Sequence, residues 1–453
     1  MMQEQSVKGL MSEGNIWKQL FFFSVPLVLG NIFQQLYNAV DSIIVGNFVG
    51  RQALAAVTSS SPVINMLISF FMGLSIGAGV VISRYFGANN KQGVSDSVHT
   101  SMAVILVSGI VMTFIGIWLT PSILQWVGVP TDVMNDSILY LKIYFYGIVG
   151  VMVYNMGSGV LRALGDSKTP LYFLIFSSFV NIALDYAFVV YLHMGISGVA
   201  WATLISQCLS AVLVCLLMMK GNEHYQLQLH KLKIHRSILK EVIRVGLPSG
   251  VQNAIVSFSN VIVQSNINAF GSVAMAGCGA YTKIDGFAIL PVTSYSMAIT
   301  TFTGQNIGAG RFDRVRKGTK VCLVLSLSTT FLISILLFVL GDLVLSIFSN
   351  DPDVIAYGHT MLSLLVPGYF LLAISHTISG VLRGANKAAS AMLIIISCWC
   401  GLRMAWILTT VPIFHNIQVV LLGWPISWLV STIIFLVYYR YAHWLPRDTK
   451  GAQ

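Results

Sequence analysis

The sequence predicts an all-α polytopic membrane protein with twelve transmembrane helices in two parallel six-helix repeats. Three observations support this fold class. Of the 453 residues, 56% are apolar and only 9% are charged. Long apolar runs recur along the chain, and residues of the first half return in the second. Because a soluble domain has about a quarter of its residues charged, most of this surface should face lipid.

A spanning helix needs about 20 mainly apolar residues. Such runs lie near 18–41, 53–82, 94–119, 137–160, 170–192 and 196–219, and again near 240–269, 274–304, 319–340, 355–380, 388–411 and 418–440. The run Leu20–Gly30 resembles the core of a signal peptide, but its apolar character continues to Val40. We therefore expect an uncleaved first membrane helix.

The distribution of basic residues predicts the topology. All but four of the 26 Lys and Arg lie in the N-terminal segment, the C-terminal tail or alternate loops, whereas the intervening loops carry Asp. This alternation follows the positive-inside rule, so both termini should be cytoplasmic in a multi-pass protein of the cell membrane. The net charge of +10 then reflects topology and does not indicate a nucleic-acid partner.

An internal repeat divides the chain. Ser158-Gly-Val-Leu-Arg162 returns unchanged 221 residues later at Ser379–Arg383. Four single residues recur 222 positions later. The pairs are Pro26 and Pro248, Asn31 and Asn253, Asn38 and Asn260, and Phe48 and Phe270. An even number of spans per half makes the repeat parallel, with a central cavity that can open to either side. We expect lobes at 1–219 and 238–453, joined by a basic cytoplasmic linker at 220–237.

Acidic residues inside spans are costly, by about 2.5–3.5 kcal/mol each on insertion scales. Three are expected there: Asp41, Asp185 and Asp285. Asp41 ends a polar stripe on one helical face, whose other members are Asn31, Gln34 and Asn38, with Tyr37 one turn before the acid. Such a stripe should face a cavity. An interfacial position is the alternative for Asp41, because it lies near the outer end of its span.

A cation site is expected in the first half. Asn181 precedes Asp185 by four residues and shares its face. If the first and fifth spans adjoin, both converge with Asp41, and Thr203 is a possible fourth ligand. Two carboxylates in one apolar site cannot both ionise cheaply, so the pair could hold a proton near neutral pH or a sodium ion. A polar cluster that only holds helices together is the alternative. No cofactor and no structural metal are expected.

The second half lacks the corresponding pair of acids, because Val263 and Trp406 occupy the positions that match Asp41 and Asp185. Asp285 should form a structural ion pair with Lys283 or Arg403. The glycines Gly73, Gly77 and Gly79 predict close helix packing. Five residues are candidates for lining a substrate cavity: Gln34, Asn38, Asn260, Asp285 and His376. For His376, packing is the favoured role.

The double repeat and several motifs resemble the MATE (multidrug and toxic compound extrusion) family, in its bacterial DinF-like branch. The motifs are Gly87-Ala88, Gly308-Ala309, Leu161-Arg-Ala-Leu-Gly-Asp166 and Gln305-Asn-Ile-Gly-Ala309. The resemblance implies proton- or sodium-driven antiport of cationic amphipathic compounds at the plasma membrane. It also implies a set of coupling residues, which are Tyr37, Asp41, Tyr140, Asn155, Asn181, Asp185 and Thr203.

The sequence therefore favours a cation-coupled exporter of small organic compounds that works as a monomer in the lipid bilayer. The nearest alternative is a flippase for lipid-linked saccharides of the same superfamily, which tends to need a cationic cavity. Here Lys283 and Arg403 are the candidate cavity cations. A channel fits less well, because an acid pair in one half only suits a carrier better than a pore. No enzyme motif is present, so we do not expect an enzyme.

Overall fold

The computed structural model describes residues 10–221 and 226–445, which form helices and their connections without a strand. We number the helices α1 to α12 in chain order. They are α1 Ile16–Val49, α2 Arg51–Gly87, α3 Lys91–Val127, α4 Met134–Ala163, α5 Lys168–Tyr191, α6 Gly195–Met219, α7 Arg236–Asn268, α8 in two segments (Ser272–Ala288 and Leu290–Gly308), α9 Phe312–Ser346, α10 Pro352–Gly384, α11 Ala388–Phe414 and α12 Ile417–Tyr441. The all-α fold class and its helix order are confirmed.

Within the described residues, nine helices are long and apolar enough to cross a membrane, and α4 makes a tenth if its two parts count as one span. These parts, Met134–Tyr146 and Ile148–Ala163, meet at a bend of 48°. The other two helices, α7 and α8, are less apolar or shorter than a typical membrane span. Polar residues interrupt α7, among them Gln252 and Asn260, and α8 breaks at Ile289.

The chain forms two compact units. The first contains Leu29–Gly250, and the second contains Met11–Val28 together with the chain from Val251 onward. Both divisions fall inside a helix, two residues after Pro26 in α1 and two after Pro248 in α7. A proline inside a helix removes a backbone hydrogen bond and favours a bend. The start of α1 thus packs within the second unit, and the start of α7 within the first.

The lobe limits predicted from the sequence, 1–219 and 238–453, stay a prediction. Residues 222–225 of the predicted linker, and the ends of the chain at 1–9 and 446–453, lie outside the described residues. The described part of the linker is attached to α3. There the Gln228 amide donates to His99 Nε2 at 3.1 Å, and the His235 amide donates to Thr100 at 3.2 Å.

In the first unit, α4 packs against α2, α3 and α6 around an apolar core. Gly73 and Gly77 of α2 meet the backbone of α7 at Gly250 and Gly246, where a side chain on either α2 residue would clash. The predicted close packing of the glycine-rich second span is therefore confirmed for these two residues. In the second unit, the later segment of α8 packs on α9 and α10, and α10 packs on α12.

The repeat extends to the backbone of the loops. Residues with positive φ recur 221 positions apart, at Gly50 and Gly271, Asn89 and Gly310, and Gly165 and Asn386. Helix packing repeats as well. Gly159 lies against the backbone of Ser75 in the first unit, and Gly380 lies against that of Ser296, 221 residues later, in the second. The two halves share one architecture, as the sequence predicts.

Candidate cation site

Two carboxyl groups lie side by side inside the first unit. Asp41 of α1 is 8% exposed and Asp185 of α5 is fully buried, and the two are within hydrogen-bonding reach of each other. The helix α1 continues past Asp41 to Val49. Asp41 is thus buried against Asp185, and its depth relative to the membrane interface stays a prediction. The convergence of the first and fifth spans is thus as the sequence predicts.

Asn181 and Thr203 complete the cluster. The Asn181 amide, oriented to satisfy both neighbours, donates to Asp185 Oδ2 at 2.9 Å and accepts from the Thr203 backbone amide at 3.2 Å. Asn181 is one turn before Asp185 on α5, so the spacing places both side chains on one face. Thr203 comes from α6, so three helices meet at the carboxyl pair.

Three oxygens of this cluster have no hydrogen-bond partner among the described residues, although all are buried. They are Oδ1 of Asp41, Oδ1 of Asp185 and the Thr203 hydroxyl. A buried polar atom without a partner is unfavourable by about 1–3 kcal/mol. Carboxylate, amide and hydroxyl oxygens are ligands of hard cations, and two adjacent carboxylates can also share a proton. The arrangement can therefore accept either ion.

Tyrosines surround the acids. Tyr140 of α4 is buried close to Asp41, and the ring of Tyr37 approaches Thr203 from α1. Asn155 is placed differently, because its amide donates to the Val151 carbonyl in its own helix at 2.8 Å. No contact in the described chain joins Asn155 to the acids, so its coupling role stays a prediction.

Local helix geometry changes next to both acids. The chain widens into a π-helical turn at Val45–Val49, soon after Asp41, and at Ala187–Tyr191, just after Asp185. A third such turn, Ile396–Leu402, directly precedes Arg403 in the second unit. Such turns are frequent at functional sites. No pattern of residues predicted these turns.

The second unit places Asp285 differently from the prediction. Its carboxylate accepts a short hydrogen bond from the Tyr369 hydroxyl, which is 2.6 Å from the hydroxyl of Tyr281. The expected ion pair with Lys283 or Arg403 is wrong, because no ion pair in the described residues includes any of them. Lys283 is two residues from Asp285 in a helix and is exposed. Tyr369 was missed because it is 84 positions from Asp285 in the chain.

The remaining candidates are spread over both units. Gln34, Asn38 and Asn260 are exposed, and Asp285 is partly buried. The His376 ring packs against Trp399 with centroids 5.5 Å apart, which agrees with a packing role. No group of three or more His, Cys, Asp or Glu side chains that could hold a metal ion occurs among the described residues. That these residues line a substrate cavity stays a prediction.

A polar contact network was also missed. The signature residues Gln305 and Asn306 hold the N-terminal segment, since the Met11 amide donates to Gln305 Oε1 at 2.6 Å and Asn306 donates to the Met11 carbonyl at 3.2 Å. These contacts span about 295 residues, so local patterns could not reveal them. Only the family resemblance had drawn attention to the motif.

A helical membrane protein built from two repeats, with two acids buried side by side inside one of them, has the architecture of a transporter. Comparison with known proteins agrees. The MatE family model matches the chain twice, at residues 26–187 and 248–407. The chain therefore belongs to the MatE family, the MATE transporters that its motifs resemble.

Two relatives and one solved structure illustrate the similarity. The "Probable multidrug resistance protein YoeA" of Bacillus subtilis is 30% identical, over 97% of this chain and 96% of its own. The "Probable multidrug resistance protein NorM" of Thermotoga maritima is 27% identical, over 93% and 90%. A structure described as the outward-facing conformation of a multidrug resistance MATE family transporter is 23% identical, covers 96% and 98%, and has a TM-score of 0.89.

Proposed function

We propose that this protein is a cation-coupled antiporter that exports small, cationic amphipathic organic compounds by alternating access. A proton or a sodium ion binds at Asp41 and Asp185 and drives export. One observation carries the proposal: two adjacent buried carboxyl groups each have an oxygen without a partner in the described chain. The names of the relatives as multidrug resistance proteins support the export of drugs.

The chemistry of the cluster suits reversible cation binding. Two buried carboxylates without a counter-ion would be strongly unfavourable, so a proton or sodium ion stabilises the site when it binds. Asn181 and Thr203 fix the geometry around Asp185 without adding charge. A ligand shifts a conformational equilibrium only if it binds one conformation more tightly. Binding at this pair can do so because α1, α5 and α6 must stay together to form the site.

The protein would act in the cell membrane with both termini in the cytoplasm, as the distribution of Lys and Arg indicates. A monomer is sufficient, because Asp41, Asn181, Asp185 and Thr203 all belong to one unit of a single chain. The flippase alternative has weaker support. A cationic cavity for a pyrophosphate lipid needs several positive charges, and of the two candidate cations only Arg403 is buried, whereas Lys283 is exposed.

Purified protein in liposomes tests the proposal. A pH gradient or a sodium gradient is imposed separately, and transport of a fluorescent organic cation against its own gradient is followed. We expect one of the two gradients to drive transport and to be dissipated faster when the dye is present. If neither gradient drives movement of any organic cation, the proposed antiport is wrong. Acceleration of labelled lipid-linked saccharide exchange would then favour the flippase.

A further inference from the structure

Arg403 is a buried positive charge without an acidic partner. It is 2% exposed, and the four ion pairs within residues 10–221 and 226–445 all join other residues. The acid that the sequence suggested, Asp285, is bonded to Tyr369 instead. A buried charge costs several kcal/mol unless an opposite charge or several hydrogen bonds stabilise it. The position of this guanidinium therefore needs an explanation.

The groups around Arg403 are neutral. Nε and Nη2 donate to the Ser427 hydroxyl at 3.3 and 2.9 Å, and Nη1 donates to Asn260 Oδ1 at 3.3 Å. The guanidinium also lies 5.4 Å from the ring centre of Trp424, and Gly423 leaves room for its stem. Two acceptor atoms thus serve a group with five N–H donors. The fork of donors matches a carboxylate or phosphate group.

The contact with Asn260 joins the buried guanidinium to an exposed polar residue. Asn260 is exposed on α7, whereas Arg403 is buried behind it. Asn260 is also the repeat counterpart of Asn38, which lies on the polar face of α1 three residues before Asp41. In the first unit, the first and fifth helices of the repeat bring two acids together. In the second unit, the equivalent helices α7 and α11 bring together Asn260 and Arg403.

We propose that Arg403, together with Asn260 and Ser427, binds an anionic group of the transported compound, a carboxylate or a phosphate. The substrates would then include zwitterionic amphipathic compounds as well as simple cations. This inference rests on the proposed export of organic compounds. It assigns the second unit a part in substrate recognition that does not involve the coupling ion.

Equilibrium binding tests this assignment without any ion gradient, so its failure is distinct from a failure of coupling. The probes are a rhodamine ester, which is a monocation, and the free acid of the same dye, which is a zwitterion. Both are titrated into purified protein in nanodiscs of phosphatidylcholine. We expect Arg403→Gln to weaken binding of the zwitterion by about tenfold or more, as expected for loss of a charge-assisted contact, and to leave the monocation nearly unchanged.

Two further variants separate binding from a structural role. Arg440→Gln makes the same change at an exposed position and should bind both dyes like the wild type. Asn260→Asp places a fixed carboxylate next to Nη1 of Arg403. It should raise the melting temperature by forming an ion pair and yet weaken zwitterion binding, because the guanidinium is then occupied. A purely structural arginine would not give this combination.

The proposal is overturned by any of three results: Arg403→Gln weakens both dyes equally, it weakens neither, or wild-type protein binds only the monocation. If Arg403→Gln does not fold, Asn260→Asp decides alone, and unchanged zwitterion binding in that variant contradicts the proposal. A lipid headgroup could offer the same phosphate chemistry. In that case, phosphatidylglycerol in the nanodisc should compete with the zwitterionic dye and weaken its binding to the wild-type protein. If the zwitterionic dye does not bind specifically in nanodiscs of any lipid composition, the assignment is contradicted.

Discussion

Arg314 of α9 donates a hydrogen bond of 3.1 Å from Nη2 to the backbone carbonyl of Met11, 303 residues earlier in the chain. The same guanidinium donates to the Gly14 carbonyl and to Gln19 Oε1. Its neighbour Arg311 donates to the Ser12 carbonyl at 2.7 Å. The segment before α1 is thereby fixed within the second unit, although the chain from Leu29 onward to Gly250 belongs to the first.

Arg314→Gln should release this segment. Each hydrogen bond to a charged group contributes about 1.5–3 kcal/mol when it is shielded, and those of Arg314 are partly exposed, so we expect a loss at the lower end of that range. Hydrogen exchange of the amides from Met11 to Gln19 measures the effect as a loss of protection. Arg316→Gln is the matched control, because Arg316 forms an exposed ion pair with Asp313 in the same helix. Equal protection in both variants would show that Arg314 does not hold the segment.

Gly73→Ala should destabilise the protein strongly. The new Cβ would overlap the backbone of Gly250, which cannot move without shifting α7, and overpacking of this kind costs about 1–3 kcal/mol or more. Thermal unfolding in detergent measures the loss. Gly279→Ala is the control within α8, since its Cβ would meet nothing within 4 Å. A wild-type melting temperature for Gly73→Ala would mean that the two helices are not in close contact at this point.

Asp285→Asn should weaken equilibrium binding of an organic monocation by about tenfold, the factor that corresponds to 1.4 kcal/mol, if Asp285 belongs to the substrate cavity as the sequence suggests. The substitution keeps the acceptor for Tyr369 and removes only the charge. Asp342→Asn changes an exposed acid that pairs with His359 and should have no effect. Unaltered monocation binding in Asp285→Asn would restrict Asp285 to the hydrogen-bonded group with Tyr369 and Tyr281.

The order and spacing of the helices followed from sequence because they depend on local properties. Runs of apolar residues set the spans, and the repeat of Ser158–Arg162 at Ser379–Arg383 set the two halves. The pairing of Asp41 with Asp185 was also within reach. That prediction required two premises: Asn181 and Asp185 lie on the same helical face, and the first and fifth spans are adjacent.

Contacts between distant residues could not be predicted in the same way. Asp285 had two charged candidates for a partner, yet a neutral residue of α10, Tyr369, supplies its hydrogen bond. From the sequence alone, charge is the main criterion for choosing a partner of Asp285. In the folded protein, helix packing determines which side chain lies next to it. The division of α1 and α7 between the two units was missed for a related reason. Pro26 and Pro248 favour bends in these helices, but the unit that each half-helix joins depends on contacts such as those of Gln305 with Met11.

The central claim is that Asp41 and Asp185 bind the coupling ion. Its most direct test is gradient-driven transport of an organic cation into liposomes containing Asp41→Asn or Asp185→Asn protein, with Asp132→Asn as the control at an exposed acid. Dye binding without a gradient confirms that each variant is folded. We predict that both site variants lose gradient-driven transport by about tenfold or more, a typical coupling free energy, while the control keeps it. Wild-type transport by both site variants, with an unchanged response to the gradient, would contradict the account.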